Sequence, residues 1–596
     1  MNTIQKCVEE LPEVYQCIYG YPEYNQEASR QCDDRWECIR NIVKTYQEKC
    51  GRQNLKVLDL GCAQGFYSFS LASIGCIVDG IDFNEKNIAL CKELQGENQL
   101  SCSFRRDIIT KELIGQIAQG QYDLILVFSV IHHIAHEHGF EYAQKLMTTL
   151  AEKAQFVLAE IAMKEEPLYW NQNLPNRYVD WFSDVSFYDE QRFFGTHLSE
   201  YRRPLVFYSN QFCFVNGSFY FITEYKKTAY EGRPIDPGRQ YYLCEGNTIL
   251  IKKIRDVGQP CIDECIDEIH SEYQFLLSNN DLSFAPKPLC FSENEQRIIM
   301  VTEIKYGTLL KDLIEKNEKV DLKSVFRDII NQCIELEERG MYHNDLRPWN
   351  ICVDQTGHAF LIDFGAIQRD KEDRIVSRVM YSDLYVCHTV YDSFVAMMYD
   401  CLINNCYPSL NKLNRYHMSF YYEFEKIPQA YSNFIQKYLL EEQDKASFDC
   451  ISELYDRYVE KEDECTLSVE EQLCIQKRQL SGLNLQKESS IRSMERIYDL
   501  GVRLDKDEAE IAECKTAIAS AQKELAEYKA MLVAAKDELQ DVTTSILELR
   551  QRLNNEELRI ENEGAKNEEL RLRLGAIERW LPLRTWKKAT RLLKTK

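Results

Sequence analysis

Four apolar runs, at 56–59, 76–82, 123–128 and 155–160, are separated by amphipathic intervals of helix length. That alternation predicts parallel strands buried on both faces and joined by crossover helices, a doubly wound sheet. A second pattern follows from about 205 to 255, where Phe- and Tyr-rich stretches predict a small strand lobe; mixed and then helical character to about 460 predicts a helical lobe after it. The third pattern is a repeat of seven. Leu504, Ile511, Ile518, Leu525, Leu532, Leu539, Ile546, Leu553 and Ile560 recur without a miss, and Cys514, Ala521, Tyr528, Ala535, Val542 and Leu549 lie three residues on. These are a and d positions of a coiled coil, a rod of about 85 Å at ~1.5 Å per residue. The chain is therefore expected to form a homo-oligomer through a parallel coiled coil. Leu and Ile mixed at the stronger position leave two or three strands open, with a trimer favoured. Expected boundaries fall at 1–205, 206–460, 461–578 and 579–596.

Length and charge narrow the classes. A chain of 596 residues exceeds one hydrophobic core. A net charge of -23 argues against nucleic acid as the main partner. The 23 cysteines include no CxxC pair, and the close spacing of Cys261 and Cys265 falls in a helical, acidic stretch, so the thiols are expected to be reduced and to pack. The N-terminus lacks a basic segment followed by an apolar one, and no run approaches eighteen apolar residues, so a cytoplasmic address is expected. The last segment departs from the acidic average: from Arg579 to Lys596 it holds seven Lys or Arg and no Asp or Glu, with Trp580 and Trp586 among them. Such a tail suits an anionic bilayer surface.

Leu58-Asp59-Leu60-Gly61-Cys62-Ala63-Gln64-Gly65 reads as a strand, a glycine turn and a helix start, which brings backbone close to a cofactor at the carboxyl edge of the sheet. A third glycine of a dinucleotide fingerprint is missing. Asp82 closes the next strand and is placed for a ribose diol; Asp107 follows at the spacing of an adenine contact. Turn and acidic strand ends in this order resemble class I S-adenosylmethionine-dependent methyltransferases. The cofactor set expected on that basis is Asp59, Gly61, Asp82, Phe83, Asn87, Asp107, Ile108 and Phe128. His132 and His133 lie just past the strand ending at Phe128, where an acceptor belongs; they are candidates to deprotonate a hydroxyl or bind an anion.

Residues 343–350, with Asp345 and Asn350, followed by Asp363-Phe364-Gly365, carry the parts of a kinase. Phosphoryl transfer requires positioning and charge neutralisation. Asp345 is expected to orient the acceptor hydroxyl, Asn350 and Asp363 to hold Mg2+, Lys252 to reach the ATP phosphates and Glu272 to pair with it. Strand parity puts Lys253 on the opposite face from Lys252, and Glu268 is the weaker alternative to Glu272. Glu303 and Ile304 mark the hinge. Two departures stand out. No GxGxxG precedes Lys252, so the covering loop is expected from Gly232 through Tyr242 with Gly238 as pivot; and Asn344 stands where protein kinases usually carry Arg. No Ala-Pro-Glu follows Gly365, so the site looks like the kinases of small molecules and sugars.

The order methyltransferase, kinase, coiled coil and basic tail resembles the bifunctional chain-terminating enzymes of polymannose O-antigen synthesis, the WbdD type. The likeness extends to stretches without general catalytic meaning: Leu11 to Gln16, Leu58 to Phe66, Ser129-Val130 with His132 to Ile134, Lys164 to Pro167 with Tyr169-Trp170, and Asp345 to Asn350. It implies a multidomain fold: an α/β class I, Rossmann-like methyltransferase, an α+β protein-kinase-like domain of two lobes, and a long α-helical coiled coil. It implies phosphorylation of the non-reducing terminal mannose of a lipid-linked polymannose glycan, then methylation of that phosphate from S-adenosylmethionine. Tyr15, Gln16 and Arg35 would come over the cofactor from the N-terminal arm, with Tyr15 near the transferred methyl and Arg30 and the histidine pair toward the acceptor anion. The partners implied are a mannosyltransferase polymerase and the inner face of the inner membrane. Two alternatives remain open: a sugar-hydroxyl methyltransferase with a silent kinase-like domain, and a membrane scaffold for the polymerase.

Overall fold

The computed structural model describes residues 3–226, 238–255, 262–305, 307–368, 389–404, 422–441 and 445–479. The heptads from Leu504 to Ile560, the tail from Arg579 and the expected loop from Gly232 to Pro237 lie outside the described residues. The chain divides into two compact units: Met1–Arg378 with Cys387–Tyr407 and Phe424–Cys465, and Val379–Val386 with Pro408–Glu423 and Thr466–Lys596. In the second unit the described residues include a helical run at 469–479. Ser468 and Glu471 cap its start reciprocally, at 3.1 and 2.8 Å.

The first unit opens with helices α1 (Thr3–Glu9) and α2 (Asp33–Cys50) and then a seven-stranded sheet. Its elements run β1 (Lys56–Leu60), α3 (Phe66–Ser73), β2 (Ile77–Asp82), α4 (Glu85–Asn98), β3 (Cys102–Arg106), α5 (Lys111–Gln116), β4 (Tyr122–Phe128), α6 (Ile131–His138), α7 (Phe140–Lys153), β5 (Ala154–Glu160), β6 (Phe187–Gly195) and β7 (Arg202–Ser209). The order is β3-β2-β1-β4-β5-β7-β6, with β1 to β5 parallel and β7 antiparallel to both neighbours. Side chains alternate between two cores: Val57, Leu124, Leu126 and Phe156 on one face, Leu58, Ile125, Val127 and Val157 on the other. Double-sided burial explains the near-continuous apolar runs. The sequence pattern missed β3, whose alternate residues are exposed or charged, and β6, which carries two consecutive acids, and β7 runs through Ser209, across the expected boundary at 205.

Beyond β7 comes an antiparallel sheet of order β12-β13-β11-β10-β9-β8, from β8 (Phe212–Val215), β9 (Ser218–Lys226), β10 (Arg239–Cys244), β11 (Ile249–Arg255), β12 (Lys287–Asn294) and β13 (Arg297–Glu303). Helix α8 (Ile262–Ser278) lies between β11 and β12 in sequence and packs on β12 and β13. The helical lobe follows: β14 (Thr308–Leu309), α9 (Leu310–Glu315), α10 (Leu322–Glu338), β15 (Tyr342–His343), β16 (Ile351–Val353), β17 (Ala359–Leu361), β18 (Ile367–Gln368), α11 (Val390–Leu402), α12 (Gln429–Tyr438) and α13 (Phe448–Tyr455). The two sheets share one core. Phe156 and Phe207 of the first lie in the same buried cluster as Phe212, Phe219, Tyr242, Ile251 and Val301 of the second.

Candidate functional site

At the carboxyl edge of the first sheet, Gly61 and Gly65 adopt φ of +77° and +78°. A side chain at Gly61 would bring its Cβ to 2.3 Å from Val130 Cγ2, so the turn requires glycine there. Asp82 anchors the same turn: its carboxylate accepts from Ala63 N at 3.0 Å, Asn84 N at 2.8 Å and Asn87 Nδ2 at 3.2 Å. Asp59 accepts from Ser68 Oγ at 2.6 Å, and burial, with Asp82 nearby, pushes its carboxyl up to about 7. A cationic amino group against Asp59 would restore its charge. Asp107 follows β3, and two apolar side chains at this edge are left in the open, Phe83 after β2 at 70% and Ile108 after β3 at 68% exposure. Exposed apolar faces beside a carboxylate suit a purine ring and its exocyclic amine. Phe128 ends β4, buried against Tyr67 with ring centroids 5.2 Å apart.

The N-terminal arm closes on this edge. Gln16 N donates to Gln64 Oε1 at 2.9 Å, Phe66 N donates to Gln16 Oε1 at 3.3 Å, and Gln64 passes on to Asn87 at 2.8 Å. Tyr15 OH accepts from Arg30 Nη1 at 2.7 Å. Arg30 also pairs with Glu160 and Ser129, and Arg35 donates to Glu160 at 2.6 Å and to Gly195 O at 2.6 Å. Arg203 lies 3.9 Å from Glu160 and binds Glu166 at 2.8 and 2.5 Å. Burial opposes a charge on Glu160, yet Arg30, Arg35 and Arg203 hold its carboxyl below the usual range. His132 is buried against Trp170, its ring centroid 4.5 Å away, and burial followed by His133 and Arg203 drives its pKa far down, so it is neutral. His133 Nδ1 meets Tyr169 OH at 2.8 Å. Four buried polar atoms here have no hydrogen-bond partner: Arg30 Nε, Tyr67 OH, His132 Nδ1 and Trp170 Nε1. Such groups are costly to bury unmatched, which marks the pocket as built for a polar ligand or water.

In the second sheet Lys252 Nζ donates to both oxygens of Glu272, at 2.8 and 2.7 Å, and to Asp363 Oδ1 at 3.1 Å. Those carboxylates keep the ammonium charged despite burial, and Lys252 with Arg239 holds Asp363 below its usual range. Glu268 instead accepts from Arg239, which also reaches Cys265 Sγ at 3.1 Å. Lys253 faces away, donating to the carbonyl of Tyr188. Asp363 adopts φ of +64°, and Phe364 beside it is buried against Phe275, ring centroids 4.7 Å apart. Asn350 Nδ2 donates to Asp345 O at 2.9 Å and Oδ2 at 2.7 Å. Arg347 Nε lies 2.5 Å from Asp345 Oδ1, an ion pair without hydrogen-bond alignment. A cleft is lined by Arg239, Tyr241, Lys252, Glu268, Glu272 and Asp363. Gly238 precedes β10 with φ of +66°. Glu303 ends β13, and Ile304 N donates to Thr248 O at 2.9 Å.

Among the described residues no group of three or more His, Cys, Asp or Glu could hold a metal unaided. The Asn350 amide and the Asp363 carboxylate carry oxygens of the type that Mg2+ takes alongside phosphates and water. Sequence reasoning overlooked Glu160, Arg203, Arg239 and the role of Arg347. Their partners lie up to 130 residues away in the chain, and no local spacing signals them; Arg347 alone stands in a stretch singled out for its family likeness.

Two family models match the chain, a methyltransferase domain over residues 52–193 and an ABC1 atypical kinase-like domain over residues 280–387. The second begins past Lys252 and Glu272, so their assignment rests on geometry. The O-antigen chain terminator bifunctional methyltransferase/kinase WbdD of Escherichia coli is 36% identical over 380 residues, 63% of this chain and 53% of the relative. The chain thus spans about half the length of the curated relatives it matches. A medium-resolution structure of the bifunctional kinase-methyltransferase WbdD is 30% identical, with a TM-score of 0.67 over 80% of this chain and 100% of that one. A low-resolution WbdD structure with an ordered C-terminal bundle has a TM-score of 0.71 at 30% identity, over 87% and 100%.

Proposed function

The chain belongs to the WbdD family of bifunctional methyltransferase–kinases, and from that premise we propose that it ends the growth of a lipid-linked polymannose O-antigen by phosphorylating the terminal mannose and then methylating the phosphate. The observation that carries the reading is the Lys252, Glu272 and Asp363 cluster, in hydrogen-bond contact in the same chain as a methyltransferase edge. Its two domains imply use of ATP and S-adenosylmethionine.

In the kinase, Asp345 orients the acceptor hydroxyl, Lys252 and Arg347 neutralise the transferred phosphoryl group, and Glu272 holds Lys252 in place. Asn350 and Asp363 would hold Mg2+, which supplies further charge neutralisation. In the methyltransferase the acceptor needs little activation, because a phosphate monoester with a second pKa of about 6 is mostly dianionic near neutrality. It needs alignment and cationic grip. Arg30 supplies the grip, with Arg203 behind it; Tyr15 borders the transferred methyl, and neutral His132 offers a hydrogen bond rather than charge. A direct attack by a sugar hydroxyl would instead demand a base.

The heptads from Leu504 to Ile560 are proposed to join copies of the chain, and the basic tail to seat them on the inner face of the inner membrane beside the mannosyltransferase polymerase. The rod then acts as a ruler: deleting whole heptads is expected to shorten the glycans, and unchanged lengths would refute it. Among the described residues no helix is long and apolar enough to cross a membrane. The deciding experiment incubates the full chain with a short mannose oligomer, Mg2+ and labelled S-adenosylmethionine, with and without ATP. Methyl incorporation is expected only with ATP. Equal incorporation without ATP would establish the hydroxyl route, and none in either arm would favour a scaffold.

A further inference from the structure

The outer edge strand of the methyltransferase sheet, β6, carries two consecutive buried acids, Asp189 and Glu190. Consecutive strand residues ordinarily face opposite ways. Here the register with β7 shifts between Glu190 and Arg192, an irregularity of the kind that re-aims side chains, and both acids meet cations of the kinase sheet. Asp189 receives a two-pronged bond from Arg297, Nε at 2.7 Å and Nη2 at 2.8 Å, and lies 3.9 Å from Lys253 Nζ. Glu190 accepts from Arg255 Nη2 at 2.9 Å and from Tyr178 OH at 2.7 Å. Lys253 is fully buried and donates to the carbonyl of Tyr188, the residue before Asp189. Arg255 and Arg297 are themselves paired across β11 and β13. All three basic side chains therefore belong to the strand that carries Lys252 or to its neighbour.

We propose that β6 is a positioning element of the kinase, with Asp189, through Arg297 and Lys253, fixing the roll of β11 so that Lys252 points at the nucleotide phosphates. Side chains at adjacent strand positions are bound to one another by the pleat: with Lys253 held on the methyltransferase side, Lys252 must face Glu272 and Asp363. A buried ion pair is a poor source of net stability, but loss of one partner leaves an uncompensated charge that forces rearrangement. The strand that suffers that rearrangement is the one bearing the phosphate lysine. Asp189 is thus a positioning residue that touches neither nucleotide nor acceptor.

This inference rests on Lys252 as the phosphate lysine, so the test carries its own reference. Binding of three probes to the full-length chain is measured by calorimetry: a non-hydrolysable ATP analogue with Mg2+, adenosine, and S-adenosylhomocysteine. Lys252→Met should weaken the ATP analogue and spare adenosine; if it does not, the assignment of Lys252 fails. Given that reference, Asp189→Ala is expected to weaken the ATP analogue about tenfold, the scale of one charge-assisted contact, with adenosine and S-adenosylhomocysteine unchanged. Arg297→Met, made from the kinase side, should give the same pattern. Analogue affinity within about twofold of the parent, or a parallel loss for adenosine, would overturn the proposal. So would loss of S-adenosylhomocysteine binding in both variants, because the clasp would then hold the fold together without aiming the lysine.

Discussion

On the proposed function, the two reaction centres present side chains of opposite charge to their cofactors. The methyltransferase edge gathers the carboxyl groups of Asp59, Asp82 and Asp107, which the proposed function sets toward a cofactor with a sulfonium and an amino group, and its guanidinium groups converge on Glu160. The kinase cleft sets Lys252 and Arg239 among Glu268, Glu272 and Asp363; the proposed function turns those cations toward an anionic nucleotide and Asp345 toward the acceptor. On the proposed function, a terminus phosphorylated in the second would be attracted to the arginines gathered around Glu160 in the first.

The sharpest way to break that comparison is Asp345→Ala. Phosphorylation should fall by roughly 10^2–10^4-fold, and methylation of an unphosphorylated oligomer should vanish with it, whereas a chemically phosphorylated oligomer should still be methylated. Paired radiolabel assays from ATP and from S-adenosylmethionine measure both. Asp82→Asn tests the other half: the KM for S-adenosylmethionine should rise by about 10- to 100-fold, while initial rates of phosphorylation stay at the parent level. Smaller still is His132→Asn. With a phosphate acceptor, kcat for methylation should drop by less than about tenfold; a loss of about 10^2-fold or more would point to a base and to a hydroxyl acceptor.

The last prediction concerns stability. Burial, with Arg255 close by, lowers Lys253 from 10.5 to about 7. Between those values the unfolded chain holds a proton that the folded chain has released, so this group makes stability rise with pH from about 7 upward. Lys253→Met should remove that rise, leaving a stability difference from the parent that grows between neutral and alkaline pH in denaturant titrations.

What the sequence made legible follows from how local each signal is. The glycine turn after β1 and the acids at strand ends are patterns within a few residues, and parity along one strand suffices to separate Lys252 from Lys253. The second half of the first sheet was illegible because β6 mixes charged with apolar residues, its acids being matched only by cations from another sheet. Glu160 looks like an ordinary strand end until Arg30, Arg35 and Arg203 converge on it. Such hubs are made by tertiary packing and leave no spacing to read.

The aromatic seam between the sheets sets how this protein can be divided. Tyr46 packs against Phe156 and Phe212, and Phe207 against Phe219, with centroids 5.0 to 5.6 Å apart. Cleavage or gene fission near Val215 would leave each fragment with a raw oily flank, prone to clump before it could act. The two folds are thereby tied into one indivisible body, and any activities they carry would be present in equal number.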